Sequence, residues 1–192
     1  MQSASNEQTT WEHPGTRTDM ALLVAHLDAA YNLARWLMGN ETDAEDLVQE
    51  AYLRAFSHFA RFRGGDGRAW LLTIVRNSCF DRLKQRGSRR QDTDFDETLH
   101  SVGQQTSNVE ALLILDERAE LVTESLAELP TEYREVLVLR ELEQLSYREI
   151  ANIAGIPLGT VMSRLSRARQ RLQLSLLAKA EQEGTGRANQ PH

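Results

Sequence analysis

The sequence predicts an all-α protein: two small helical domains joined by a flexible linker, the second ending in a helix-turn-helix. Apolar residues recur at helical spacing over residues 19–86 and again over 109–172, whereas residues 87–108 are polar with few apolar positions. A polar stretch of about twenty residues is uncommon inside a compact domain. We therefore expect a disordered leader at 1–18, a first domain at 19–86, a linker at 87–108, a second domain at 109–177 and a tail at 178–192.

Charge is strongly segregated along this chain of 192 residues, which carries a formal net charge of −6. Between Arg61 and Arg90, nine basic residues stand against two acidic ones, a local charge of +7. Between Gln91 and Leu145, three basic residues stand against fourteen acidic ones, a local charge of −11. The basic stretch is typical of a surface that binds the phosphates of nucleic acid.

Several function classes have no support in the sequence. Cys79 is the single cysteine, so neither a disulfide framework nor a cysteine zinc site is expected. The five histidines show no ligand spacing, and no Ser/His/Asp set, Walker loop or dinucleotide fingerprint occurs. We predict no catalytic residues, metal or cofactor. No apolar run approaches the ~20 residues of a membrane span, so we expect no membrane insertion and a cytoplasmic location.

The first predicted helix starts at Asp19 as N-cap and ends at Gly39 and Asn40. Its apolar positions repeat at helical spacing: Met20, Leu23, Val24, Leu27, Tyr31, Ala34 and Leu37.

The second predicted helix opens with Thr42 and Glu45 as a capping box. Its inner stripe is Ala44, Leu47, Val48, Ala51 and Ala55, and its outer face carries Asp43, Asp46, Gln49 and Glu50. Favourable interaction with the helix dipole and solubility are sufficient reasons for these acids. The residues alone therefore assign the acidic face no partner.

A third predicted helix, Arg68 to Arg86, carries most of the basic stretch. Leu72, Val75, Cys79 and Leu83 form its core stripe. The opposite line holds Trp70, Thr73, Asn77, Phe80 and Lys84. Aromatic rings, an amide and a cation along one line suit unstacked bases. The simpler interpretation, in which Trp70 and Phe80 complete a helical core and the arginines are solvated, stays open from this helix alone.

The second domain is predicted to begin with a helix from Val109 to Leu129, broken at Pro130. A further helix follows from Thr131 as N-cap to Glu143, and Ser146 with Glu149 forms a capping box for the next.

Residues 146–172 have helix-turn-helix spacing. Ala151 permits close helix crossing, Gly155 suits a left-handed turn, and Val161 supplies the buried contact from the second helix. The outward residues of that helix are Met162, Ser163, Ser166, Arg167 and Gln170, flanked by Arg164, Arg169 and Arg171. Such a surface is typical of a recognition helix in a major groove. A helical bundle with a basic surface is the alternative.

Three segments together closely resemble the extracytoplasmic-function sigma factors of bacteria. These are DAEDLVQEAYLRAF, FRGGDGRAWLLTIVRNSCFDRLKQR and LAELPTEYREVLVLRELEQLSYREIANIAGIPLGTVMSRLSRARQRL, in the family's order over about Leu22 to Leu172. The resemblance implies that 19–86 is sigma region 2 and 109–177 sigma region 4. It implies binding to core RNA polymerase, recognition of the minus-ten and minus-thirty-five elements of promoter DNA, DNA opening, and control by an anti-sigma protein.

By position, the resemblance also implies roles for particular residues. The core-polymerase-binding residues are Asp46, Gln49 and Glu50. The minus-ten residues are Arg54, His58, Phe62, Trp70 and Asn77. The minus-thirty-five residues are Ser163, Arg164, Ser166 and Arg167.

The chain departs from the family in two places. Leu71 follows Trp70 where housekeeping relatives carry a second tryptophan, which implies a weaker wedge and stricter promoter choice. Met162 stands where many members have Arg or Lys, and Ser166 where some have an aromatic residue, so the minus-thirty-five preference stays undetermined.

Two other classes compete with this interpretation. A free-standing helix-turn-helix regulator would bind duplex DNA without polymerase, but it leaves the Trp70 and Asn77 face unused. A DNA-processing enzyme such as a serine recombinase would need a nucleophile, and neither Ser78 nor Ser88 has an acid-base partner in view.

Overall fold

The computed structural model describes residues 21, 23–62, 64–92 and 111–187. Within these residues the regular structure is helical and contains no strand, which confirms the predicted all-α class. The predicted leader and most of the predicted linker, 93–108, lie outside the described residues. So does Asp19, the predicted first N-cap.

In the described part of the first domain, three helices contact one another: α1 (Leu27–Met38), α2 (Glu41–His58) and α3 (Gly67–Asp92). A short 3₁₀ helix, Phe59–Arg61, follows α2. The buried residues of the predicted stripes are Leu23, Ala34 and Leu37 of the first predicted helix, Ala44, Leu47, Val48, Ala51 and Ala55 from α2, and Leu72, Val75 and Cys79 from α3. The prediction was wrong for Val24 and Leu27, which are exposed because a turn at Ala25 and His26 interrupts the helical register. Tyr31 and Leu83 are half-buried, and Leu33, which was not predicted, is buried. Alanines at the α2 contact let the helices approach closely, so the basic helix α3 lies directly beside α2. Helix α3 continues to Asp92, beyond the predicted start of the linker at 87.

The predicted first helix is interrupted, and the predicted start of the second is wrong. A turn at Ala25 and His26 separates a short helical segment from α1, which begins at Leu27. The N-cap of α2 is Asn40, whose side chain accepts a 2.8 Å hydrogen bond from the Asp43 amide. Gly39, left-handed at φ 77°, ends α1 and leaves Asn40 extended. The cap is therefore Asn40, and Thr42 is already helical.

The second domain contains α4 (Ala111–Ala127), α5 (Thr131–Leu137), a π-helix (Val138–Leu142), α6 (Tyr147–Ala154) and α7 (Leu158–Arg187). Pro130, not Thr131, holds the cap position of α5, and no side chain caps that end. The predicted α-helix to Glu143 widens into the π-helix, where the Glu143 amide donates to the carbonyl of Val138, five residues earlier. The spacing of apolar residues does not distinguish this π-helix from an α-helix, because Val138 and Leu139 suit a buried position in both.

The helix-turn-helix is confirmed in its local details. Ser146 and Glu149 form both halves of the capping box, with bonds of 3.3 and 2.6 Å. Gly155 has φ 65°, and its amide donates to the Ala151 carbonyl. Val161 is fully buried. The two domains also touch each other: α3 packs against α6, and α1 packs against α5.

Gly155→Ala should lower the free energy of unfolding by about 1–2 kcal/mol, because a Cβ is strained in the left-handed region. Urea denaturation of the full chain measures this. Gly87→Ala is the matched control: Gly87 lies within α3 with open space around its Cβ position. There the same change should raise stability by about 0.4–1 kcal/mol. Equal effects at the two positions would contradict the left-handed turn.

Candidate nucleic-acid interface

Four of the five predicted minus-ten residues converge on one open cleft of about 340 Å³. Arg54 and His58 come from the end of α2, and Trp70 and Asn77 come from α3. These positions are up to 23 residues apart and meet because α2 and α3 pack side by side. Arg61 and Ile74 complete the lining, and neither was predicted for this site. The cleft offers two cations, a half-exposed indole and an exposed amide.

The Arg54 guanidinium is held at two points. Its Nη2 lies 2.5 Å from Glu50 Oε1, and its Nη1 donates to Ser78 Oγ at 3.3 Å. The Arg54 carbonyl accepts from His58 Nδ1 at 2.8 Å, which ties the imidazole to the same turn of α2. Ser78 is buried, and its support of Arg54 was not predicted from the sequence. These bonds fix the cationic wall of the cleft before any ligand enters.

Phe62 belongs to an aromatic cluster. Its ring centroid lies 5.0 Å from that of Trp70 and 5.5 Å from that of Phe59, and Phe59 meets Trp70 edge-on at 5.8 Å. Such pairs stabilise each other by about 0.5–1.5 kcal/mol beyond burial. A base that stacks on Phe62 must therefore compete with the Trp70 contact.

Asn77 and Phe80 have neighbours that the helical pattern did not reveal. Asn77 is exposed, and its Oδ1 accepts a 3.2 Å hydrogen bond from Arg76 Nη1. Phe80, predicted on the exposed line, is half-buried under the Arg76 guanidinium, which lies 4.1 Å from the ring centroid. Asn77 therefore remains accessible, whereas Phe80 is already engaged.

The predicted polymerase-binding residues lie on one outer face of α2, but they are not equivalent. Asp46 and Gln49 are exposed. Glu50 is engaged by Arg54 at 2.5 Å and by Arg82 of α3 at 3.5 Å. Leu53, which was not predicted, is 71% exposed one turn further along this face. The sequence signal for Leu53 was its position outside the apolar stripe of α2. An exposed leucine beside exposed acids indicates a contact with another protein.

A second ion pair braces this face against α3. Arg86 lies 2.5 Å from Asp43, and its hydrogen bond holds the pKa of that carboxyl below its usual value. The pairs made by Arg82 and Arg86 neutralise part of the basic helix.

In the recognition helix α7, Ser163, Ser166 and Arg167 are exposed and Arg164 is half-buried. Ser163 donates to the Thr160 carbonyl at 3.1 Å. Within the described part of the chain, Arg167 makes no ion pair or side-chain hydrogen bond. A shallow groove of about 390 Å³ runs beside these residues and is lined in part by Met162 and Ser166.

The flanking arginines of α7 already have partners. Arg169 lies 2.7 Å from Glu141, and the Arg171 guanidinium lies 5.1 Å from the Tyr133 ring centroid. Arg167 is thus the exposed α7 arginine best placed to reach a base edge.

The described residues contain no group of three or more His, Cys, Asp or Glu arranged to hold a metal ion. Burial raises the pKa of the Cys79 thiol to about 12, so Cys79 stays protonated in the core. Among the described helices, none has the length and apolar character needed to cross a membrane.

Fold and surfaces together define an all-helical, two-domain DNA-binding protein with a terminal helix-turn-helix. Two family models match the chain: Sigma-70 region 2 over residues 22–89 and Sigma-70, region 4 over residues 119–172. The ECF RNA polymerase sigma-E factor of Escherichia coli K12 is 38% identical over 135 residues, 67% of this chain and 71% of that protein. The chain belongs to the extracytoplasmic-function (ECF) RNA polymerase sigma factors.

A further relative and two proteins solved in complexes are also similar to this chain. ECF RNA polymerase sigma factor SigE of Mycolicibacterium smegmatis is 36% identical over 162 residues, and the match spans 84% of this chain but 62% of that protein. The sigma factor RpoE of Bartonella quintana, solved in complex with the anti-sigma factor NepR, matches with a TM-score of 0.71 and 31% identity over 84% of this chain and 98% of that one. CnrH, solved with the cytosolic domain of CnrY, matches with a TM-score of 0.57 and 26% identity over 84% and 89%.

Proposed function

We propose that this chain binds core RNA polymerase and directs it to promoters, reading the minus-ten element with the first domain and the minus-thirty-five element with α7. The observation that carries this proposal is the cleft in which Arg54, His58, Trp70 and Asn77 converge. Its cations suit phosphates, its indole suits an unstacked base, and its amide suits a base edge. Because the proposed action is on RNA polymerase, we also propose a cytoplasmic location.

In the proposed division of labour, 19–86 acts as region 2 and 109–177 as region 4. Asp46, Gln49 and Glu50 supply the polymerase-binding face of α2, with Leu53 as an apolar anchor beside them. A free-standing regulator is less favoured, because it leaves both this face and the cleft without a use.

Asp46→Lys should weaken binding to core polymerase about 5- to 20-fold, or about 1–2 kcal/mol, while changing stability by less than about 0.5 kcal/mol. Asp46 is the cleaner position, because a lysine at 50 would also face Arg54 and Arg82. Glu45→Lys makes the same charge change about a quarter turn around α2 and serves as control. Fluorescence titration of labelled chain with core polymerase gives both affinities. Equal weakening by the two variants would contradict docking through this face.

We also propose control by a separate anti-sigma protein. RpoE and CnrH were both solved with a partner chain, NepR and the cytosolic domain of CnrY. Affinity purification of the tagged chain from its uninduced host should recover a stoichiometric inhibitor. Recovery with core polymerase alone would contradict this part of the proposal.

A further inference from the structure

The two domains are joined by a buried ion pair between helices far apart in sequence. Arg76 Nε of α3 lies 2.6 Å from Glu135 Oε1 of α5. The Glu135 side chain is 0% exposed and that of Arg76 is 19% exposed. Burial raises the pKa of Glu135, and the hydrogen bond from Arg76 opposes that rise. A carboxylate in this setting depends on its cationic partner to remain charged.

A second bridge lies nearby. Arg68 Nη2 of α3 is 2.5 Å from Glu143 Oε2, and Asn32 Nδ2 of α1 donates to Glu143 Oε1 at 3.3 Å. The π-helix ends at Leu142 with Glu143 as its C-cap, and Gln144 follows with a left-handed φ of 55°. A π turn and a non-glycine residue in that region are both uncommon and concentrate at functional sites. This irregular backbone brings the Glu143 carboxylate to the first domain.

A third contact crosses the same boundary. Arg134 Nη1 donates to the Trp36 carbonyl at the end of α1, at 3.0 Å. Residues from α1 and α3 are therefore held by residues from α5 and from the end of the π-helix.

The contacts lie between the two candidate DNA-reading surfaces. On one side, Arg76 binds the Oδ1 of Asn77. On the other, the charge of Arg164 of α7 opposes the rise that burial causes in the pKa of Glu135. The minus-ten and minus-thirty-five elements are about 25 base pairs apart, roughly 85 Å at about 3.4 Å per base pair. These contacts must open before the two surfaces can separate by that distance.

We infer that Glu135 and Glu143 form an intramolecular latch, in which the second domain docks its carboxylates onto Arg76 and Arg68 and holds the free chain closed. This inference rests on the proposed function, because its consequence is that binding to polymerase must separate the two domains. The carboxylates occupy two arginines of the basic helix where DNA phosphates would otherwise bind. Both ions regain water on opening, so the latch is reversible.

The latch is tested on the full chain by energy transfer between dyes at Ser57→Cys and Gln173→Cys, both exposed positions. Cys79 is buried and escapes labelling. Glu135→Gln and Glu143→Gln should each increase the open fraction, and the double variant should increase it at least fivefold. Glu124→Gln, which weakens the Lys179 pair inside the second domain, should leave the fraction unchanged.

A double-mutant cycle of Arg76→Gln and Glu135→Gln separates the latch from a general loss of packing. Coupled effects on the open fraction are expected, with helicity unchanged in all three variants. An unchanged open fraction in both single variants and the double variant overturns the latch, as do additive effects in the cycle. Failure of the parent chain to support transcription with core polymerase would instead count against the proposed function.

Discussion

Asn77→Ala should lose about 5- to 30-fold in transcription from a promoter with the best minus-ten sequence and little from promoters with poor ones. Loss of a base contact worth about 1–2 kcal/mol corresponds to that range. The amide is exposed in the cleft with Trp70, and its Oδ1 already accepts from Arg76. We therefore expect the NH₂ group to supply most of the recognition.

Asn77→Asp tests this division, because it keeps the acceptor toward Arg76 and removes both donors. It should resemble Asn77→Ala in selectivity. Gln85→Ala removes an exposed amide from the same helix outside the cleft and should change neither selectivity nor activity. A library of single changes in the minus-ten element supplies the readout. A uniform loss across that library would assign Asn77 a bracing role instead.

Arg167→Ala should relax preference at one or two minus-thirty-five positions by about 1–3 kcal/mol, the discrimination expected of a bidentate arginine–guanine contact. The structure supports this assignment, since Arg167 is exposed and makes no ion pair within the described residues. Selection from randomised minus-thirty-five sequences by polymerase holoenzyme measures the change. Base preferences identical to those of the parent would refute it.

Arg171→Ala is the matched comparison on α7. It should weaken binding to all sequences about equally and reduce the salt slope by about one, as loss of a phosphate contact does. Because Arg171 also lies over the Tyr133 ring, this variant should lose a further ~0.5–1 kcal/mol of stability. A loss confined to particular base positions would contradict this assignment and would make Arg171, not Arg167, the base-reading arginine.

Local signals predicted the helix-turn-helix in detail. Ser146 and Glu149 have the spacing of a capping box. A glycine directly after a helix indicates a left-handed backbone conformation, as Gly155 has. The start of α2 was missed for a related reason. Thr42 and Glu45 have capping-box spacing, but the left-handed Gly39 sets the cap at Asn40. Spacing identifies residues able to cap, whereas the preceding backbone decides which one does.

Four residues of the cleft were expected from the family resemblance, whereas Arg61, Ile74 and the supports of the cleft were not. Nothing local in the sequence marks Ser78 as the hydrogen-bond partner of Arg54, 24 residues away. The domain contacts lay further beyond sequence reasoning, because Arg76 and Glu135 are 59 residues apart and nothing local marks them as a pair. Glu135 counted as one acid among fourteen in the acidic stretch. Its place within the apolar run EVLVL was the only hint of burial.

Promoter-dependent transcription with purified core RNA polymerase tests the central claim most directly. Core enzyme alone should make no specific transcript from a host promoter, and addition of this chain should produce one whose yield depends on both promoter elements. The free chain should bind the same duplex weakly at physiological salt. No promoter-specific transcript with core, together with tight sequence-specific binding by the chain alone, would contradict the account and favour a free-standing regulator.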